Sequence, residues 1–388
     1  MHKSIFIALS LLFSTALYAE TEQTNQLADI EKKDLNVNGT IRFQYTHNDY
    51  LADSGNKIDF FDAVLWLSYQ KENWSAYLDY RAYQAHNKIA GIHYPANAWV
   101  AYQFNPEHQV KVGLQPVSIG VDRYYSSTYN LTMLYALGLE EVNNLGLSYQ
   151  YLAGDYQVDF GYFFRDAGSH TGKSDNSSHY SSNLTAESNF KNGTQLKEKN
   201  IFAAKISKKV DLHPELESTI GASYFHGEVD NLRSNQTGDR QAWTIFQKTQ
   251  YKNLAGNIVY GGQKINNKDR QYQDYSTFGV ADGYYNVAND AKFLSAEINY
   301  KVDIDLGENF GQPLLYSNYS RYFKDHQDYQ DSERWINGVY FTYKNDFRFY
   351  LENISARNDT AFGGHDGFAT GQNTDWNQLT YLSLGYYF

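Results

Sequence analysis

The sequence predicts an all-β chain, a transmembrane antiparallel β-barrel of about 16 strands. Three observations carry this expectation. Apolar and polar residues alternate with a period of two from residue 35 to the C-terminus. The alternating segments run roughly 9 to 13 residues, the length a tilted strand needs to cross a bilayer. The connections are short and long by turns, which predicts short periplasmic turns at one end and long extracellular loops at the other.

Met1, His2 and Lys3, an apolar run from Ser4 to Tyr18 and the small Ala19 form a secretory signal peptide, 1–19. The run is shorter than the roughly 20 residues a membrane anchor needs. A short periplasmic segment, 20–34, leads into the barrel, 35–388. In the first strand Leu35, Val37, Ile41, Phe43 and Tyr45 alternate with Asn36, Asn38, Thr40, Arg42, Gln44 and Thr46. Phe61, Ala63, Leu65, Leu67 and Tyr69 share one face of the second. After a turn at 71–73, Trp74, Ala76, Leu78, Tyr80 and Ala82 alternate with Tyr77, Asp79, Arg81 and Tyr83. A hairpin follows, with Ala98 to Phe104, a turn at 105–108, and Val110 to Pro116. Later strands are expected near 143–152, 156–166, 198–209, 216–227, 240–251, 255–265, 291–301, 313–323, 334–343, 347–356 and 376–388, with register open at 240–251 and 313–323. Long loops are expected at 48–56, 84–95, 118–142, 167–197, 228–239, 266–290, 324–333 and 357–375. The turn at 302–312 is longer than its counterparts.

Composition agrees with this architecture. The 36 Tyr, 23 Phe and 6 Trp are ample for aromatic girdles, and a mean hydropathy of -0.62 is expected when only alternate strand residues face lipid. The absence of Cys removes disulfides, thiolate metal sites and a cysteine nucleophile. A formal charge of -11 excludes nucleic acid as a partner. A secreted sandwich or propeller alternates as well, but has no reason to keep its turns short at one end and long at the other. No G-x-S-x-G, H-E-x-x-H or P-loop pattern occurs. Asp303 to Glu308 resembles part of a calcium loop without the full pattern and reads as a solvated turn. No cofactor or metal is expected.

The third long loop, 118–142, is rich in Tyr and Leu, and 131–137 is expected to form a short helix. A loop this apolar is best buried by folding into the lumen. That places Asp122, Arg123, Glu140 and Glu141 at a pore constriction. Strand parity places Arg42, Asp79, Arg81, Lys111, Gln115, Asp159, Arg165, Arg348 and Glu352 on the pore lining, with Asp62, Lys205 and Glu297 beside them. Opposed signs across such a wall set a transverse field rather than a single-sign ring.

The signal peptide, the strand count, the long third loop after "VKVGLQPV" and the terminal "LSLGYYF" together resemble the Gram-negative outer-membrane porin superfamily over the mature chain. The stretch "KVGLQPVSIG" is similar in style to the phosphate-selective (O/P-type) porins. The resemblance implies a passive diffusion channel for small hydrophilic solutes and ions, commonly a homotrimer, embedded in outer-membrane lipid. It also implies that Phe388 is read by the barrel-assembly machinery. Phosphate selectivity is not implied, because the concentrated Lys/Arg ladder it needs is missing. A channel selective for a carbohydrate or an anion is the alternative, with Tyr77, Tyr83, Tyr124, Tyr125 and Tyr129 suited to stack on sugar rings. A barrel hydrolase is the third reading.

Overall fold

The computed structural model describes residues 34–49, 55–167, 179–186, 191–362, 366–371 and 375–388. The leader expected at 1–19 and all but the last residue of the segment at 20–34 lie outside them. The strands are β1 (Leu35–Asn48), β2 (Asn56–Lys71), β3 (Trp74–Ala85), β4 (Lys88–Asn105), β5 (His108–Pro116), β6 (Asn143–Ala153), β7 (Tyr156–Asp166), β8 (Asn183–Leu184), β9 (Leu196–His213), β10 (Leu216–Asn231), β11 (Gln236–Tyr251), β12 (Leu254–Asn266), β13 (Tyr275–Val280), β14 (Gly283–Ala288), β15 (Asp290–Lys301), β16 (Leu314–Lys324), β17 (Ser332–Tyr343), β18 (Phe347–Arg357) and β19 (Asn377–Tyr387). Among the described residues, 16 of these close into one antiparallel barrel, and β14, β13 and β8 form a separate three-stranded sheet.

The two faces of each strand have opposite fates, as the pleat requires. Val112, Phe160, Phe202, Ile245, Ile298 and Leu351 point outward and are exposed, whereas Thr40, Arg42, Asp79, Arg81, Ser295 and Asn318 point inward and are buried. Aromatic pairs gather at the short-turn end, including Trp74 with Tyr102 and Phe341 with Phe349, each 4.8 Å between ring centres. That is where a membrane-interface girdle belongs. Closure is completed by β1 on β19, with Ile41 opposite Tyr386 and Phe43 opposite Leu384. The main chains of Gly39 and Phe388 exchange two 3.0 Å hydrogen bonds. The Phe388 ring crosses Gly39 so closely that a Cβ there would collide with it, while the outer side of the ring stays exposed.

Parity alone misplaces two residues, both at bulges. Arg42 pairs with Asp62 but Phe43 pairs with Phe60, so Phe61 is the extra residue and turns inward to burial, away from the face of Leu65 and Tyr69. On β7, Gly146 pairs with Phe163 and Leu145 with Arg165, so the extra Phe164 reverses the alternation. Arg165 therefore lies on the outward side beside Leu145, and is not pore lining. At the two registers left open, Arg240, Ala242, Thr244 and Phe246 point inward on β11, as do Tyr316, Asn318, Ser320 and Tyr322 on β16.

Several expected loops are strand instead. β3 and β4 run on to a two-residue turn at His86 and Asn87, with φ of 53° and 58°, where 84–95 was expected as loop. Positive φ at both central positions is the hairpin turn whose twist matches the strands it joins. β10 and β11 likewise continue through much of 228–239, and 266–290 contains the β13–β14 hairpin. The pattern hides these extensions because, beyond the membrane, strands no longer have a lipid face to mark them.

Candidate functional site: the pore constriction

Residues 118–142 lie inside the barrel and are almost wholly buried. The expected helix is a single turn, α1 (Met133–Ala136). Thr132 caps it, its side chain accepting from the Leu134 N–H at 3.1 Å. Gly138 ends it at φ 63°, with its N–H to Tyr135 O and that of Leu139 to Leu134 O, both at 3.0 Å. Such a left-handed stop favours glycine, and here a Cβ would also strike the carbonyl of Ser182.

The loop spans the lumen from wall to wall. Its polar groups hydrogen-bond, among the described residues, to Lys205 on β9, Ser223 on β10, Arg240 and Lys248 on β11, Glu297 on β15, Ser320 on β16, Arg334 on β17 and Glu352 on β18. Two wall carboxylates hold its middle. Glu297 accepts from the Ser127 hydroxyl at 2.6 Å and from its N–H, while Glu352 accepts from the N–H groups of Tyr129 (2.6 Å) and Asn130 (3.2 Å) and from the Tyr316 hydroxyl (2.8 Å). Arg240 donates to the carbonyls of Leu137 (3.2 Å) and Gly138 (2.8 Å), at the C-terminal end of α1, and pairs with Glu198 at 3.3 Å. Arg334 reaches Leu131 O at 3.3 Å and pairs with Asp359 at 2.7 Å. Buried charge is tolerable only when partnered in this way. Tyr129 stacks between Tyr350 and Tyr381, at 4.9 and 5.2 Å.

From the outer side the small sheet covers the loop. Ser182 and Tyr285 hydroxyls both donate to Ala136 O, at 2.9 and 2.7 Å. Tyr135 donates to Tyr180 O, and the Tyr180 ring lies 4.1 Å from the Arg81 guanidinium. These side chains join one continuous apolar cluster with Phe225, Phe278, Phe293 and Phe368. Arg240 threads this cluster, 5.2 Å from the rings of both Phe225 and Phe278.

The four residues expected at the constriction divide. Asp122 is half-exposed and pairs across the lumen with Lys248 at 2.7 Å; Arg123 is ion-paired with Glu141 and lies 3.8 Å from Asp79. Glu140 and Glu141 instead turn into the loop. Glu140 accepts from the N–H groups of Tyr125 (2.7 Å) and Thr132 (3.1 Å) and from the Thr132 hydroxyl. Burial pushes its carboxyl up to about 7 despite those donors. It knots the loop rather than facing water.

The wall residues are also mostly consumed locally. Arg42 binds Asp62 through two nitrogens, and Arg81 binds Asp79 on its own strand at 2.9 and 2.6 Å. Gln115 donates to the carbonyls of Lys111 and Gly146 at 3.1 and 3.0 Å, and Asp159 accepts from Gln150 and Gln157 at 3.1 and 2.8 Å. Lys111 lies 4.3 Å over Trp99 and Arg348 4.1 Å over Tyr387, both near the short-turn end. Glu352, expected as lining, is an anchor. Arg240, Lys248 and Arg334 were missed; the first two lie in a strand whose register the pattern leaves open, and the third is the first residue of the segment expected at 334–343, two residues inside β17.

No protein-family model and no curated protein matches the sequence. Among solved structures, the fold is similar to OmpF of Salmonella typhi in complex with daunomycin, with a TM-score of 0.62 and 11% identity over 91% of this chain and 97% of that one. It is similar to an anion-selective porin from Comamonas acidovorans, with a TM-score of 0.57 and 12% identity over 91% and 99% of the two chains. It is also similar to the trimer form of OmpT, an outer-membrane protein of Vibrio cholerae, at 0.52 and 12% over 91% and 99%. Matching nearly the whole of both chains at such low identity, these structures share the architecture, and the chain is a closed antiparallel β-barrel with the fold of these porins.

Proposed function

We propose that the chain is an outer-membrane porin that passes small hydrophilic solutes and ions through a narrow path set by the loop 118–142. One observation carries this reading: the loop leaves the wall between β5 and β6, crosses a closed barrel and is hydrogen-bonded to strands from β9–β11 round to β15–β18. A loop joined at its ends to β5 and β6 and tied along its length to that arc sets a small, fixed opening, so low conductance and marked size exclusion follow. The buried carboxylates Glu140, Glu297 and Glu352 are occupied in holding main chain, which favours a channel over a barrel hydrolase. Assembly as a homotrimer is part of the proposal, supported by the trimer form of the similar OmpT.

Purified protein in a planar bilayer is expected to give small stepwise conductance; a silent bilayer overturns the channel. A second reading, selectivity for an anion or a sugar, is favoured by the two inner-wall cations on aromatic faces, Lys111 on Trp99 and Arg348 on Tyr387. Concentration-dependent block of the current by a sugar or an organic anion would support it, and no block would dismiss it.

A further inference from the structure

One connection at the short-turn end is unlike its neighbours. The others among the described residues join their strands through two or three residues, polar or small as in Glu72 and Asn73 or Gly154 and Asp155. The β15–β16 connection, 302–313, is longer and carries Ile304, Leu306 and Phe310, each about half exposed. Apolar side chains grouped on an exposed loop point to something that covers them. The loop is tied into shape without them. Val302 N–H donates to Pro313 O at 2.8 Å across its neck, Gly307 N–H donates to the Asp305 carboxylate at 2.8 Å, and Gln312 donates to Asp303 at 2.9 Å.

Phe310 sets where the loop lies. Gly311 N–H donates to Thr342 O at 3.1 Å and Lys344 N–H to Asn309 O at 2.7 Å, which lays the far arm of the connection along the end of β17. The Phe310 ring sits 4.9 Å from that of Tyr343, on the outward face of β17. Tyr343 meets Phe347 at 6.3 Å, Phe347 meets Tyr386 at 5.2 Å, and Tyr386 meets Phe388 at 6.1 Å. Five rings thus run unbroken along the outside of the barrel, and the connection supplies the first. Such rings mark the level of a membrane interface. The loop is therefore held against the outer wall at that level and does not hang beneath the lumen.

We propose that 302–313 is a membrane-surface anchor, with Ile304, Leu306 and Phe310 entering the boundary between headgroups and acyl chains and its carboxylates meeting the ammonium groups of zwitterionic phospholipids. Interfacial segments bury an apolar face about 5–10 Å into that boundary while their polar side stays among headgroups. Charge selects the lipid. Asp303, Asp305 and Glu308, with Asp346 on the neighbouring turn, outnumber the flanking Lys301 and Lys344, and all six are exposed. A net negative patch is repelled by anionic headgroups and matched by ammonium ones. The inference rests on the membrane-spanning reading above and is independent of what the channel conducts.

The chain has no cysteine, so a fluorophore on a single introduced cysteine reports one position. The barrel is folded into vesicles of phosphatidylethanolamine and phosphatidylcholine, alike in both leaflets and doped with a nitroxide-labelled lipid. Leu147→Cys, exposed on the outward face of β6, sets the lipid limit, and Glu107→Cys, exposed in a short turn, sets the water limit. Labels at Ile304→Cys and Leu306→Cys are expected to be quenched several-fold more than at Glu107→Cys and to emit further to the blue. Quenching no greater than at Glu107→Cys overturns the anchor, whatever protein covers the turn in cells. An unquenched Leu147→Cys overturns the membrane reading itself, and the anchor with it. Exchanging half of the lipid for phosphatidylglycerol at low ionic strength should weaken quenching at Leu306→Cys, and adding Asp303→Asn, Asp305→Asn and Glu308→Gln should abolish that sensitivity; equal quenching in both vesicles rejects the headgroup assignment. Because a label can draw a loop into lipid by itself, Phe310→Ala gives a second arm. Freed from the row of rings, the Leu306→Cys label should lose most of its quenching, and full retention rejects the proposal.

Discussion

The two halves of the lumen are built on different principles. Toward the long loops the interior is packed as a protein core, with Arg240, Arg334, Arg42 and Arg81 buried and each paired with a carboxylate. Toward the short turns Trp66 and Tyr387 still stack and are buried, but the ion pair of Asp122 with Lys248 is about half accessible on both sides, which makes this the wet half. A charge in the packed half is committed to holding chain in place. A charge in the wet half is screened by water but free to act on a passing ion. On the proposed channel reading, the barrier belongs to the outer half and ion preference to the inner.

Removing residues 124–137 breaks this contrast most directly. Unit conductance in planar bilayers should rise several-fold, and an unchanged value would take the loop out of the path. Replacing Glu352 with Ala strands the buried N–H groups of Tyr129 and Asn130 and the Tyr316 hydroxyl. Each orphaned donor costs about 1–3 kcal/mol, so the variant should show a larger, noisier conductance and a lower unfolding temperature, with Glu352→Gln in between.

A milder change comes from pH. Burial raises the Glu140 carboxyl from 4.5 to about 7, so the folded loop holds this proton more tightly than an unfolded one does. The contribution of this group therefore favours the folded loop at low pH and declines as pH rises from about 4.5 to about 7. Current noise should increase over that interval, and Glu140→Gln should flatten the response; a wild-type response of equal size in the variant assigns the effect elsewhere. The smallest effect is expected from Lys248→Glu. Reversal potentials in a salt gradient should shift toward cations at low ionic strength and converge at high salt, because the site is exposed. A shift that persists in high salt would mean that this half is not wet.

Much of the barrel was legible in the residues. Leu382, Leu384 and Tyr386 alternate with Ser383, Gly385 and Tyr387, and the register with β1 follows that pattern. Residues 118–142, expected from their apolar character to fold inward, are almost wholly buried. What the pattern could not supply were the bulges. One extra residue at Phe61 or Phe164 changes no local preference yet reverses every side chain beyond it, and so Arg165 was assigned to the wrong face. The site was less legible than the fold. Glu140 and Asp122 are both acidic residues of one loop, but one is buried on main-chain donors and the other meets Lys248.

By itself, then, the sequence determined the closed barrel, because period two with alternating turn lengths leaves few other ways to satisfy backbone polar groups in lipid. Tertiary structure alone decided which charges meet. Glu352 and Tyr129 are separated by 223 residues and Glu297 and Ser127 by 170. No local pattern encodes partners that distant. They are fixed by barrel closure and strand stagger, which bring opposite walls onto one loop.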